Sequence, residues 1–287
     1  MNLANWLARR ARLSPDRAAL FTGGKVATDY AGFAARARAV AGWLRAEGIA
    51  PGDRVAIFMA NQPDYLIVLL GIWTAGAAAV PINAKLHGQE AAFILADAGA
   101  RMVFASAKQA EALAAAEVTA RIVETPSPAY DAALAAPPLA EVTPRNADDM
   151  AWLFYTSGTT GRPKGVIITH GMLMSMALCY EADVDRTSAE DAALYAAPMS
   201  HGAGLYALMH LRVGARHVFP SSGGFDPGEI LELAEELGRV HMFAAPTMVK
   251  RLTDHARETG RRGEGLRTIV YAGGPMYNAD IIAAEAH

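Results

Sequence analysis

Short runs rich in β-branched and aromatic residues stand at 55–59, 102–105, 152–155, 166–169, 217–219, 240–243 and 268–271, and between them lie longer stretches of helical period. The short runs have the length and composition of strands; the longer ones return an apolar residue every three or four positions. Strands separated by helices pair in parallel and need cover on both faces, so the pattern predicts an α/β fold with largely parallel sheets flanked by helices. Segment 65–82 carries no charge and just reaches the length of a membrane span. Gly71, Gly76 and Pro81 divide it, alanines dilute it, and a strand-like run stands directly before it. A buried strand, helix, strand unit accounts for all of this. The same order returns later: 55–83 and 193–221 each read as strand, turn, apolar helix, a Gly-Ala step and a strand ending in proline. Two similar α/β subdomains are expected, at about 1–145 and 150–287, with their interleaving left open. Pro126, Pro128, Pro137, Pro138 and Pro144 mark 125–149 as a surface connection between them.

Composition narrows the partners. With 52% hydrophobic and 19% charged residues, the 287-residue chain has enough apolar material for a large core. A net charge of −3, with Lys and Arg scattered, offers no surface for nucleic acid or an anionic membrane, so small molecules are the expected partners. Self-association into a homo-oligomer stays open. Cys179 stands alone and pairs with nothing, which predicts a reducing compartment, the cytoplasm. At the amino terminus, Arg9, Arg10, Arg12 and Arg17 follow Leu3, Trp6 and Leu7 without the apolar run of a secretory signal. Asp16 and the Ser14-Pro15 break favour a short surface helix over a mitochondrial presequence.

The chemistry is concentrated in Tyr155-Thr-Ser-Gly-Thr-Thr-Gly-Arg-Pro-Lys-Gly165, between two expected strands. Gly158, Gly161 and Gly165 allow backbone conformations in which consecutive amides turn toward one anion. Thr156, Ser157, Thr159 and Thr160 add four hydroxyl donors, Lys164 a mobile positive charge, and Pro163 stiffness just before it. Composition alone fits a plain Gly/Ser/Thr connection equally well. Order separates the readings. A Walker loop fails, because Pro163 stands where that motif needs glycine and no Ser or Thr follows Lys164.

The string instead resembles the phosphate loop of the AMP-forming adenylate synthetase superfamily, which contains acyl-CoA and aryl-CoA synthetases, amino-acid adenylation domains and luciferases. The likeness runs from Asn2 to the end of the chain and implies the N-terminal domain fold of acyl-CoA synthetases. It further implies that Thr156, Ser157, Gly158, Thr159, Thr160, Gly161 and Lys164 bind ATP phosphates. Ala197-Pro-Met-Ser-His-Gly-Ala-Gly-Leu205 resembles the family segment that lines the acyl pocket; His201 would sit near the carboxylate, sharing the catalytic role with Lys164, and Gly204 would leave room for substrate. Tyr271-Ala-Gly-Gly-Pro-Met276 resembles the turn against adenine, with Gly273, Gly274 and Pro275 in those positions. The stretch 243–248, with Pro246, resembles the start of the helix that walls the acyl pocket; Met248, with Met199 and Met209, would make a soft apolar lining.

The reaction the resemblance implies is attack of a carboxylate on the α-phosphate of Mg-ATP, then thiolysis of the acyl-adenylate by coenzyme A. No Asp or Glu lies in 198–209 to meet a substrate ammonium, which favours a fatty or other apolar acid and leaves an aryl-acid CoA ligase or an amino-acid adenylation domain as the alternative. Family members continue with a Tyr-Gly-x-Thr-Glu segment bearing the magnesium-binding glutamate, a ribose-binding aspartate, and a lid carrying an adenylation lysine. The 287 residues hold none of these, so no metal ligand and no C-terminal lid is expected here, and the isolated chain should bind ATP weakly and turn over little. Two other classes are weighed. His201-Gly-Ala-Gly204 looks like the oxyanion strip of α/β-hydrolases, but no Gly-x-Ser-x-Gly elbow follows it. A non-catalytic nucleotide-binding fragment is the third reading.

Overall fold

The computed structural model describes residues 1–156 and 163–286. The chain opens with α1 (Ala4–Leu13), the strands β1 (Ala18–Thr22) and β2 (Lys25–Asp29), and α2 (Tyr30–Ala46). Four strands then alternate with helices: β3 (Arg54–Phe58), α3 (Pro63–Thr74), β4 (Ala78–Pro81), α4 (Gly88–Ala98), β5 (Met102–Ala105), α5 (Ala107–Ala114), β6 (Arg121–Glu124) and α6 (Pro128–Leu134). A second series begins with β7 (Met150–Thr156), β8 (Lys164–Thr169) and α7 (His170–Asp183). It continues through β9 (Ala192–Leu194), α8 (Gly202–Leu205), α9 (Ala207–Val213), β10 (Arg216–Phe219), α10 (Pro227–Leu237), β11 (Val240–Ala244), α11 (Pro246–Thr259), β12 (Leu266–Tyr271) and α12 (Asn278–Glu285).

All seven strands expected from the short apolar runs are present, and each pairs in one of two six-stranded sheets. One sheet has the order β6-β5-β3-β4-β7-β8, the other β12-β11-β9-β10-β1-β2. These are the same order, position for position, and only β2 and β8 run antiparallel. Each half of the chain is a hairpin followed by four parallel strands, yet each hairpin leaves its own half and completes the other sheet: β1 pairs with β10, and β7 with β4. The hairpins match in detail. Both close on a Thr↔Lys pair, Thr22↔Lys25 and Thr156↔Lys164, and both end on a residue that caps the next helix. Asp29 Oδ1 accepts from the Gly32 amide at 2.7 Å and Thr169 Oγ1 from the Met172 amide at 3.2 Å, satisfying donors the first helical turn leaves open. Between the two strands the first hairpin needs only Gly23-Gly24, whereas the second inserts the Gly/Thr loop.

The internal echo has a structural basis. In both halves the helix before the second strand ends at a glycine in the left-handed region, Gly76 at φ +77° and Gly214 at φ +80°, from which the chain turns directly into β4 or β10. The uncharged stretch is α3, whose residues from Tyr65 to Thr74 are all buried because it lies between the sheets, touching β3 and β4 on one side and β1 and β10 on the other. No described helix is long and apolar enough to cross a membrane. Trp73 and Trp152 pack at 6.4 Å in the same layer, and Trp73 Nε1 donates to the Ala151 carbonyl at 2.7 Å, so the buried indole is not left unpaired.

The 125–149 stretch departs from the expected surface connection. Its prolines include a helix start: Ser127 accepts from the Tyr130 amide and Pro128 takes the first position of α6, where its missing N–H costs nothing. Tyr130 and Ala133 are buried against α2 and β6, and the Tyr130 hydroxyl donates to Asp64 at 2.7 Å. The edge strands β2 and β6, and β1 between β10 and β2, are absent from the sequence expectation. All three are short, and β2 and β6 carry exposed polar residues, so no apolar run marks those two.

Candidate functional site

The antiparallel pairing of β7 and β8 holds Thr156 and Lys164 opposite one another, both exposed, at the mouth of the Gly/Thr loop. Ser157, Gly158, Thr159, Thr160 and Gly161 lie outside the described residues. The base of the loop is fixed from below. Tyr155 is buried and donates its hydroxyl to Asp97 of α4 at 2.6 Å, while burial and that carboxylate push the phenol pKa far up, so it keeps its proton. Gly165 lies beside it because a Cβ there would come within 3.1 Å of the Tyr155 ring.

Next to this mouth is a cleft of about 300 Å³ whose walls include Thr156, Pro163, His201, Asn83, Leu86 and Glu90. Thr156 and His201, predicted on separate grounds, therefore meet in one cavity. His201 immediately precedes α8 and its ring stands edge-on to Phe154 of β7, centroids 5.2 Å apart. Its Nδ1 is 2.9 Å from the Ser200 hydroxyl, and burial lowers its pKa, which keeps the ring neutral at pH 7. Ser200 is itself buried, and among the described residues no carboxylate is hydrogen-bonded to the pair, so the contact reads as a locked rotamer and not a hydrolase nucleophile.

The segment carrying His201 is held by a residue that sequence reading passed over. Asn61, in the turn between β3 and α3, donates from Nδ2 to the Tyr195 and Ala197 carbonyls at 2.8 and 2.7 Å, and its Oδ1 accepts from the Met199 amide at 3.1 Å. Three of the four bonds an asparagine can make are thus spent across the two sheets, on a partner 134 to 138 residues away. Asn61→Ala strands two carbonyls and an amide, and is expected to lower unfolding free energy by about 2–3 kcal/mol. Chemical denaturation reads this directly; a change below about 0.5 kcal/mol would mean the stitch is dispensable.

Gly204 is accounted for by packing. A Cβ there would sit 1.9 Å from the Met199 carbonyl oxygen and 2.9 Å from the Trp152 ring, so what its missing side chain makes room for is protein. Gly202 is constrained likewise: a Cβ there would sit 2.3 Å from the Phe243 ring. Met199 and Met209 are core residues. Met248 is half-buried near the start of α11, its sulfur accepting from the Ala245 amide at 3.5 Å. Gly273, Gly274 and Pro275 form an exposed turn after β12 with Gly273 at φ +89°. They do not line the 300 Å³ cleft; a Cβ on Gly274 would come 3.9 Å from the side chain of Pro246, the first residue of α11. Among the described residues no group of three or more His, Cys, Asp and Glu is placed to hold a metal.

Two matched α/β sheets with a small-molecule-sized cleft beside the β7–β8 hairpin have the architecture of an α/β enzyme. Residues 7–286 match the AMP-binding enzyme family, and the chain belongs to that family. It is 38% identical over 276 residues to a feruloyl-CoA synthase of Amycolatopsis sp, covering 96% of this chain and 55% of that protein. It is 35% identical over 217 residues to the long-chain-fatty-acid–CoA ligase FadD13 of Mycobacterium tuberculosis, covering 71% of this chain and 42% of that one. Among solved structures, the N-terminal domain of FACL13 from Mycobacterium tuberculosis superposes with a TM-score of 0.88 at 28% identity, over 100% of this chain and 74% of that one. The chain thus spans about half the length of these curated relatives.

Proposed function

We propose that this chain is the nucleotide- and acid-binding part of an AMP-forming acid–CoA ligase. The observation that carries the reading is the hairpin register, which brings the Thr156 hydroxyl and the Lys164 ammonium to the mouth of one loop, beside a cleft walled by His201. A carboxylate oxygen of the acid attacks the α-phosphorus of ATP, the bond to pyrophosphate breaks, and an acyl-adenylate forms. The thiol sulfur of coenzyme A then attacks the acyl carbon, AMP leaves, and the thiol proton is lost. Negative charge grows on phosphate oxygens in the first step, so a fixed donor and cation lower its barrier more than they stabilise bound ATP. Thr156 donates, Lys164 neutralises, and neutral His201 borders the reacting carboxyl group without adding charge. Ser157, Gly158, Thr159, Thr160 and Gly161 complete the phosphate cradle. The exposed Gly273-Gly274-Pro275 turn gives adenine a flat backbone to lie against. Magnesium arrives with the nucleotide.

For the acid, a plain carboxylate is favoured by the lack of Asp and Glu in 198–209. Between an extended fatty chain and a compact aryl acid, the aromatic walls beside α8, Tyr180, Tyr206 and Phe243, favour the aryl acid. The relatives named for ferulate and for long-chain fatty acids bracket this choice. Pyrophosphate release by the full-length protein, measured against aryl, short, medium and long-chain acids, tests it. Release is expected to require both ATP and an acid; release without acid, or with amino acids alone, would refute the reading.

A further inference from the structure

The cleft beside the loop mouth offers a carboxylate few donors. Of its polar walls, Tyr155 gives its hydroxyl to Asp97 at 2.6 Å, and Glu90, whose carboxylate takes the His87 amide at 3.0 Å, can only accept. Thr156, Asn83 and His201 remain. What His201 offers depends on one proton. Burial lowers its pKa below the ordinary histidine value, so at pH 7 the ring is neutral and a single nitrogen carries hydrogen. A ring that presents Nε2–H to the cleft donates. A ring that presents a bare Nε2 accepts, and turns away a carboxylate, which is an acceptor only.

Ser200 decides between the two. Its side chain is buried, and its hydroxyl lies 2.9 Å from His201 Nδ1, its one hydrogen-bond partner among the described residues. With the proton on Nδ1, the ring would donate to Oγ and the hydroxyl hydrogen would be left in the interior without an acceptor. With the proton on Nε2, the hydroxyl donates to Nδ1 and no donor is stranded. A stranded buried donor costs more than one made hydrogen bond returns, which selects the second arrangement. Phe154, edge-on to the ring at 5.2 Å, packs against it and restricts its rotation. Nδ1 is thus spent on Ser200, and Nε2 is the nitrogen left for the cleft.

We infer that Ser200 is a positioning residue for His201: its hydroxyl holds Nδ1 as an acceptor, so that Nε2–H donates to the carboxylate oxygen that does not attack phosphorus. This rests on the ligase reading above. A neutral donor suits the step, because it anchors one oxygen and leaves the charge on the other free to attack. An imidazolium would hold the acid more tightly and blunt its nucleophilicity. The bond is already made in the bound acid, so its loss falls on acid binding more than on the chemical step.

Nitrogen NMR of the full-length protein, isotope-labelled at histidine, reads the ring directly, with His201 identified by the signal that His201→Gln removes. At neutral pH Nε2 is expected to carry the hydrogen, with Nδ1 bare and hydrogen-bonded. A hydrogen on Nδ1 overturns the inference whatever the activity, and the measurement needs no substitution at Ser200. The second readout is ATP-dependent pyrophosphate release by the same protein. Ser200→Ala is expected to raise KM for the acid about tenfold while kcat and KM for ATP stay within about twofold. Ser200→Thr, which keeps the hydroxyl, should restore most of the loss. An unchanged KM for the acid in Ser200→Ala overturns the inference. So does a fall in kcat with both KM values rising together, which marks a general disturbance of the cleft. Were no carboxylic acid to support release, the ligase reading would fail and the donor role with it; a hydrogen found on Nδ1 removes this inference only.

Discussion

Lys164→Ala is expected to slow acyl-adenylate formation by about 10²–10³-fold in the full-length protein, the cost of removing one preorganised charge donor from a developing oxyanion. The direction follows from position. Lys164 faces Thr156 at the mouth of the loop and is exposed, and among the described residues its side chain has no salt bridge or hydrogen bond that its removal would break. The substitution should therefore leave unfolding free energy within about 0.5 kcal/mol while the rate collapses. Lys164→Arg should recover part of the rate, because the charge survives but its flexible point geometry does not. Single-turnover measurements of acid-dependent pyrophosphate release separate these outcomes. An alanine variant with undiminished rate and nucleotide affinity would remove the loop from the chemistry altogether.

Acid should unfold the protein through its interior before its surface carboxylates are titrated. His170, His210 and His217 are buried, with pKa values lowered to about 4, about 4 and about 3, burial being the largest cause in each. Local contacts agree. The Leu3 amide points at His170 Nδ1 from 3.4 Å, and Arg145 and the amino terminus oppose a positive charge there. His217 lies 2.6 Å from the Tyr195 hydroxyl with no free carboxylate to pair with it. Because the folded values lie below the unfolded value of about 6.5, the unfolded chain binds the protons first as pH falls. Stability is complete above about pH 6.5, declines through pH 5, and is fully lost from each site only below its folded pKa. Each of these lowered values ties on the order of a few kcal/mol of stability to a neutral ring, a large share of the stability of an ordinary domain. Denaturant unfolding at pH 8, 6 and 5 should show a steep fall, with an uptake of about two to three protons on unfolding near pH 5. A flat free energy across that interval would mean that these rings are charged, or exposed, in the folded state.

The strands of both sheet centres were legible in the sequence because burial on two faces selects β-branched runs, as at 55–59 and 102–105. β2 and β6 were not, because an edge strand is held by backbone pairing that leaves little trace in side-chain type. The phosphate-loop reading came from residue order and the His201 reading from its neighbours; the structure sets Thr156 and His201 on one cleft. The hairpin exchange was not, since nothing local records which sheet a hairpin will join. Asn61 was invisible for the same reason: its partners lie more than 130 residues away, and a lone asparagine before a proline reads as a turn. Gly204 was read as open space for a ligand, while the Met199 carbonyl and the Trp152 ring occupy the side a Cβ would enter. His210 and His241 carry no motif; only the fold sets their rings 5.0 Å apart.

The crossed hairpins also set a timetable for biosynthesis. β1 is made early, but its parallel neighbour β10 begins at Arg216, so at roughly 5–20 residues per second the nascent strand waits about 10–40 s for its partner. Throughout that delay Leu20 and Phe21, destined for the interior, have no native sheet to enter. Neither half of the polypeptide can finish first: the ribosome must deliver both before either sheet acquires its full complement of strands.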